Sequence, residues 1–360
     1  MKILHIHISL SSQGGIETFV ASLSNEQAQQ GHDVHVLSVF QPLGGAWERF
    51  IPLVHKHTLG KLTQGFSLRF PYQIYRFIRQ GGYDIVHVHG FIAYYAISIA
   101  LLHRNIKFVY TIHSDAFHEG NKWDQRLLSL KRFIFRHHWA QAVTISQTSQ
   151  ESFVRLYGFS APMIYNGIDL PKLSATSRND YELILPARIA EAKNHLTLCR
   201  VVTDLIQEGY PLHLTLAGDK QNETIFRSIQ PYLNQHIEYI GSVSDIPLRL
   251  QQSGALCMPS IWEGMPMTVI EALSCGCLPV CTPVGGIPEM VHDAENGFLS
   301  QDTSEQAYKE ALLHYLRLSS QQRSDMRKKA IQTAQNFSMA QTAKQYLALY
   351  LSLNSPNQNG

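Results

Sequence analysis

The chain has no apolar run of about 18 residues, the length a membrane-spanning helix needs. No secretory leader is expected either, because Lys2 is followed by I-L-H-I-H-I, an alternating stretch that reads as a strand. Cysteine is scarce, with 5 residues among 360, and the odd count argues against a disulfide framework. A reducing, cytoplasmic setting is therefore expected. Zinc-finger spacing and RNA-binding sheet motifs are missing, so nucleic acid is not an expected partner. G-x-G-x-x-G is missing, which argues against dinucleotide binding. No short internal repeat occurs.

What is present is an ordinary folding composition, 44% apolar and 16% charged, in a chain long enough for two domains. The net charge of +2 hides an asymmetry. Residues 1–170 carry 15 basic and 10 acidic side chains, and residues 171–360 carry 15 and 18. Of the 18 histidines, 13 lie in the first half. A basic half suits an anionic substrate or an anionic membrane surface.

Strand and helix patterns alternate. Strands are expected at 2–8, 33–40, 84–89, 107–112 and 142–145, and helices at 15–30, 93–103, 123–139 and 147–157. Residues 171–180 read as a linker, after which the alternation restarts. Strands are expected at 182–187, 212–217, 236–240, 255–258 and 278–282, with helices at 194–207, 222–233 and 267–275. Three terminal helices are expected at 303–318, 322–335 and 339–353. The fold class is α/β, with two tandem Rossmann-like domains, 1–170 and 171–360, a cleft between them and C-terminal helices, the last of which could pack on the first domain.

Three segments suit an anionic ligand. The first strand leads into S-L-S-S-Q-G-G-I-E-T, a turn that brings Gly14 and Gly15 to a helix N-terminus, where free N–H groups accept anions. Arg188 and Lys193 follow a strand in P-A-R-I-A-E-A-K-N-H, and a guanidinium with an ammonium suits a diphosphate. The richest stretch runs from Pro259 to Gly297. There Glu263 and Glu271 flank a helix start, with bare backbone N–H groups between them. Glu271 lies in V-I-E-A-L, which reads as a buried helix face.

In these segments the chain resembles the retaining GT-B glycosyltransferases of family 4, also called group 1, which include sucrose-phosphate synthases and bacterial surface-glycan transferases. E-x7-E at Glu263 and Glu271, C-G-C-L-P-V, G-G-I-P-E-M-V, N-G-I-D at 166–169, the glycine turn, the Arg188/Lys193 pair and T-I-H-S-D around His113 all match in order. The resemblance implies transfer of a hexose or N-acetylhexosamine from a nucleotide sugar, a UDP-sugar above all, to a glycan or lipid-linked saccharide. It implies that Glu263 holds donor-sugar hydroxyls and Glu271 the ribose. Arg188 and Lys193 hold the diphosphate, helped by N–H groups at Met267 and Thr268. Gly14 and Gly15 approach the phosphates, His113 faces the sugar, and Gly241 and Val243 line the base pocket. M-P-M after Gly264 departs from the Phe-Gly or Phe-Pro of many relatives, which bears on sugar choice. No D-x-D occurs, so no metal cofactor is expected. A sugar-nucleotide 2-epimerase and a non-catalytic sugar-nucleotide-binding protein remain as alternatives on the same fold.

Other features read more plainly. Cys275, Cys277 and Cys281 read as small buried hydrophobes. His5, His7, His87 and His89 alternate along strands, so half of them are expected to face inward. His137 and His138 are expected on a helix surface or at a helix end. Between Arg49 and Tyr83 no acid occurs, while Arg49, Lys56, Lys61, Arg69, Arg76 and Arg79 are interleaved with Phe50, Phe66, Phe70, Tyr72, Tyr75 and Phe77. Arg126, Lys131, Arg132 and Arg136 form a second basic segment between Trp123 and Trp139. Either the aromatics fill the core and the cations face water, or this surface rests on the anionic inner face of the membrane as a peripheral contact.

Overall fold

The computed structural model describes residues 1–354 except 12–13, 63–66, 68, 91, 114–115, 118–125 and 175–176, with the side chains of 92 and 93 also outside the description. Ser114 and Asp115 of T-I-H-S-D, Phe66, Trp123 and the start of the helix expected at 123–139 lie outside the described residues. The chain divides into two compact units. Unit 1 is Met1–Asp169 together with the chain from Met339 on, and unit 2 is Leu170–Ser338.

Unit 1 runs β1 (Lys2–His7), α1 (Gly15–Gln29), β2 (Asp33–Phe40), β3 (His55–Lys61), α2 (Arg69–Gly81), β4 (Ile85–His89), α3 (Ile92–Leu102), β5 (Lys107–Ile112), α4 (Leu128–Arg136), β6 (Gln141–Thr144) and α5 (Gln147–Tyr157), and ends with the C-terminal helix Met339–Asn354. Its strands pair in parallel in the order β3-β2-β1-β4-β5-β6. Unit 2 runs β7 (Asn179–Pro186), α6 (His195–Gln207), β8 (His213–Ala217), α7 (Glu223–Ile229), β9 (Ile237–Tyr239), α8 (Ile246–Gln252), β10 (Ser253–Met258), α9 (Met267–Ser274), β11 (Leu278–Cys281), α10 (Ile287–Met290), β12 (Phe298–Leu299), α11 (Glu305–Leu316) and α12 (Ser320–Ala334). Its sheet order is β12-β11-β10-β7-β8-β9. Counted from each unit's own first strand, both orders read 3-2-1-4-5-6, the doubly wound order of Rossmann folds.

The sequence pattern gives no element between 41 and 83, yet β3 and α2 lie there. β3 is an edge strand whose only buried residue is Lys61, so it lacks an apolar alternation. α2 buries Pro71, Ile74 and Ile78 on one stripe and exposes Arg69, Tyr72, Arg76 and Arg79 on the other. α4 likewise exposes Arg132, Phe133 and Arg136 and buries Ile134 and Phe135. The buried stripes of α2, α3, α4 and α5 share one core. Two of the expected surface cations are corrected. Lys61 and Lys131 are buried, with Lys61 Nζ 4.3 Å from the Phe40 ring centre and Lys131 Nζ 5.5 Å from that of Tyr110. Their long stems pack with the core while the ammonium meets aromatic faces. Phe50 is buried and Phe70, Tyr75 and Phe77 pack against core residues, which leaves Tyr72 as the exposed aromatic of that segment among the described residues.

The strand histidines also differ from expectation, for all four are buried rather than half of them. Central parallel strands are covered on both faces. Register places His5 beside His87 and His7 beside His89. His5 Nε2 lies 2.8 Å from Gln27 Oε1 on α1, and its Nδ1 lies 3.2 Å from His89 Nε2. His87 pairs with the Tyr350 hydroxyl at 2.7 Å and with Thr111 at 2.7 Å, and Thr111 meets the Tyr346 hydroxyl at 2.9 Å. Two tyrosines of the C-terminal helix thus reach into the polar interior of unit 1.

Burial holds His5 down to about 4 and His113 down to about 3, and pushes His87 and His89 well below the ordinary value of 6.5. Folded values below the unfolded one mean stability that is present above pH 6.5 and lost as pH falls, by about 1.4 kcal/mol per pH unit for each histidine. We predict that the denaturant midpoint of unit 1, followed by tryptophan fluorescence, drops steadily between pH 7 and pH 5. A flat profile over that range would contradict neutral burial.

Candidate active site

In unit 2 the chain winds outward from β7 through β8 and β9, and from β10 the other way through β11 and β12. The loops leaving the carboxyl ends of β7 and β10 therefore part from each other, and ligands of open α/β sheets bind at such a switch point. These two loops carry Arg188, Lys193 and Glu263.

After β7, Arg188 is exposed and has no ion-pair partner among the described residues. Glu191–Lys193 form a short 3-10 turn that ends at Asn194 in the left-handed region. After β10 comes the segment to Glu263. Lys193 Nζ stands 2.6 Å from Glu263 Oε1, with side-chain exposures of 17% and 10%. The hydroxyl of Ser260, itself buried, donates to the same oxygen at 2.6 Å. A carboxylate this sheltered needs such partners, since desolvating an unpaired charge costs several kcal/mol. The backbone ties the two loops as well, Ile261 N donating to Ala192 O at 2.8 Å.

The loop after β11 closes the arrangement. Thr282 Oγ1 donates to Ser260 O at 2.6 Å, and Gly286 N donates to Gly264 O at 2.6 Å. Gly285 has φ +58°, and a Cβ there would lie 2.3 Å from Glu263 O. This close approach is what the glycine pair in V-G-G-I-P makes room for. On the other side, Gly218 after β8 would put a Cβ 2.3 Å from Ala187 O, and its N–H donates to Gly241 O at 2.8 Å. Gly241 thus joins the strand-end loops next to β7, and Val243, two residues on, is half-buried.

α9 begins after Pro266, which provides no side-chain cap. Along Met267–Ser274 every residue is buried except Thr268 and Glu271. Spaced three apart, those two share the helix's one accessible face. The expected burial of this helix therefore holds for its neighbours, while Glu271 itself is half-buried. Cys275, Cys277 and Cys281 are free and buried, and burial pushes their thiols up, to about 11 for Cys275 and about 12 for Cys277.

In unit 1 the corresponding switch point lies between β1 and β4. Gly14 is the N-cap of α1 and Gly15 its first residue, and no side chain caps the helix. Glu17 stands in the first turn, with Oε1 4.0 Å from His7 Nε2. His113 follows β5, and its Nε2 lies 3.0 Å from His89 Nδ1. With Gln27 Oε1 as the terminal acceptor, His5 donates to Gln27, His89 donates to His5, and His113 donates to His89. That order leaves His113 Nδ1 as a buried acceptor without a hydrogen-bond partner. Sequence reasoning missed this chain, and it missed Ser260, although S-x-x-E spacing at 260–263 hints at a serine serving a glutamate.

Two family models match, Glycosyltransferase Family 4 over residues 13–172 and Glycosyl transferases group 1 over residues 171–335. Among curated proteins, the N-acetyl-alpha-D-glucosaminyl L-malate synthase of Bacillus anthracis is 24% identical over 321 residues, 81% of each chain. The UDP-Gal:alpha-D-GlcNAc-diphosphoundecaprenol alpha-1,3-galactosyltransferase of Escherichia coli is 23% identical over 252 residues, 63% of this chain and 64% of that protein. Among solved structures, Anabaena HepE in complex with UDP and glucose superposes with a TM-score of 0.77 at 19% identity, covering 98% of this chain and 100% of that one. The fold is thus GT-B, and with models that together span residues 13–335 the chain belongs to the group 1 glycosyltransferases of family 4.

Proposed function

We propose that the protein moves a hexose or N-acetylhexosamine from a UDP-sugar to a glycan or lipid-linked saccharide, with retention of configuration and without a metal ion. The observation that carries this reading is the Lys193–Glu263 pair at the β7/β10 switch point, in a family of sugar transferases. The E. coli relative acts on a diphosphoundecaprenol-linked sugar and HepE binds UDP, and both favour the same donor and acceptor classes here.

In this reading the diphosphate takes Arg188 and Lys193. A lysine ammonium has three donors, and Glu263 occupies one, so two remain for phosphate oxygens. The uncapped start of α9 at Met267 and Thr268 adds N–H groups and the positive end of the helix dipole. Charge grows on the leaving diphosphate in the transition state, where fixed cations stabilise it most. Glu263 accepts from donor-sugar hydroxyls, Glu271 takes the ribose, and Gly241 and Val243 line the base pocket. Gly14 and Gly15 are assigned to the phosphates, and His113, with its free Nδ1, to a sugar hydroxyl. The acceptor hydroxyl loses its proton to the leaving phosphate oxygen as the new glycosidic bond forms on the same face. No protein nucleophile is assigned.

For unit 1 the reading adds a resting place. The exposed stripes of α2 and α4 carry Arg69, Arg76, Arg79, Arg132 and Arg136, and neither helix contains an acid. Among the described residues no helix is long and apolar enough to cross a membrane. A basic face of this kind gains about 1 kcal/mol per cation on an anionic leaflet, which would keep the enzyme near a lipid-linked acceptor.

Two outcomes are expected. Arg188→Ala and Lys193→Ala each lower kcat/KM at least about tenfold in excess EDTA. Only Lys193→Ala also costs stability, about 2 kcal/mol, because it strands the sheltered Glu263 carboxylate. Near-normal turnover in both variants, or loss of wild-type turnover in EDTA that Mg2+ restores, would contradict the clamp. On vesicles, the protein should sediment with anionic lipid at low salt and release by about 0.5 M salt. Changing Arg69, Arg76, Arg79, Arg132 and Arg136 to Ser should weaken that binding, and equal indifference to anionic and neutral vesicles would contradict it.

A further inference from the structure

At the amino ends of β2 and β3, opposite the strand ends that carry the assigned residues, Asp33, His35 and His55 converge. Asp33 and His35 alternate on β2, His55 and His57 alternate on β3, and the register sets His35 beside His55. His35 Nε2 lies 3.1 Å from Asp33 Oδ1, and His55 Nε2 lies 3.5 Å from the same oxygen. All three donor atoms fall within 4.8 Å of one another. Ligands held about 2.0–2.1 Å from a tetrahedral ion are about 3.3–3.4 Å apart, and the two measured spacings bracket that value. Without an ion, the two histidines share one carboxylate oxygen, Asp33 Oδ1. With one, each donor would have its own bond.

We propose that this edge of unit 1 is a binding site for a zinc-class divalent ion, ligated by Asp33 Oδ1, His35 Nε2 and His55 Nε2, with water in the fourth position. The surroundings fit a metal-binding histidine. With Nε2 on the ion, His35 Nδ1 carries the proton and donates to His57 Nε2, which is 2.9 Å away. This is the outer hydrogen bond that fixes a metal-binding imidazole. Lys2 Nζ, 3.8 Å from Asp33 Oδ2, occupies the other carboxylate oxygen and leaves Oδ1 for the ion. The Asp33 and His55 side chains are 47% and 59% exposed, so an ion has a path in. The interior trio His5, His87 and His89 has none, being fully buried with its ring nitrogens engaged by Gln27, Thr111 and Tyr350. An ion at the edge would clamp the exposed strand β3 to β2, the kind of protection that edge strands need. It would act apart from sugar transfer, which the proposed function leaves without a metal.

The test uses the full chain without a polyhistidine tag, titrated with Zn2+ by calorimetry and with Co2+ by visible absorption. One Zn2+ per chain is expected, with tetrahedral Co2+ bands and a raised thermal midpoint. Asp33→Asn, His35→Gln and His55→Gln should each weaken binding at least about tenfold. His314→Gln, which alters an exposed histidine of unit 2, should not. His55 is exposed, so its variant reads binding without a folding defect. Absence of saturable binding up to about 100 µM Zn2+, or equal affinity in His55→Gln and wild type, would overturn the proposal.

Discussion

Glu263 is a carboxylate whose side chain keeps 10% of its exposure, and a charge so sheltered must be held by neighbours. Lys193 supplies the opposite charge, Ser260 a hydroxyl, and the main chain of three strand-end loops closes around them. The pair spans 70 residues of sequence, and it forms because β7 and β10 are parallel neighbours. Substituting Gly285 would push a side chain into the Glu263 backbone, so the glycines of the β11 loop serve the same carboxylate. Much of the upper rim of unit 2 is arranged by the need to hold this one charge. That arrangement also leaves two lysine donors and an uncapped helix start, the features that the proposed diphosphate clamp uses.

Unit 1 solves a different problem. Its central strands are covered on both faces yet carry histidines at paired positions. The rings stay neutral and satisfy one another through Gln27, Thr111 and two tyrosines of the C-terminal helix. Such a network specifies a unique packing, because each member needs the next. It gives the last helix of the chain a fixed seat in unit 1, and it ends at the unpartnered Nδ1 of His113.

Sequence made the alternation of strands and helices legible, because apolar strands and polar turns punctuate both halves. The stretch from Pro259 to Gly297 stood out by two glutamates around a helix start, and the roles given to them came from the family resemblance. What it could not show was adjacency. Nothing local to Lys193 says that its partner is Glu263, since that depends on strand order. β3 was invisible because an edge strand with Lys61 as its only buried residue has no apolar alternation. Lys61 and Lys131 read as surface charges because composition does not show a lysine stem laid along a core. The histidines of β1 and β4 read as half exposed because period two says which residues share a face, and not whether the opposite face is also covered. Ser260 carried a faint signal, its spacing from Glu263.

The central claim is that unit 2 holds a UDP-sugar with separate carboxylates for ribose and sugar. Calorimetry of Glu263→Gln and Glu271→Gln with UDP and with UDP-glucose as probes tests it most directly. Glu271→Gln should weaken both ligands about equally, by about tenfold or more, the loss of a charged hydrogen bond. Glu263→Gln should leave UDP at least as tight as in wild type, because Lys193 is released to the phosphates, and should weaken only the sugar-bearing ligand. Equal losses of UDP affinity in both variants, or no UDP binding by the wild-type chain, would contradict the account.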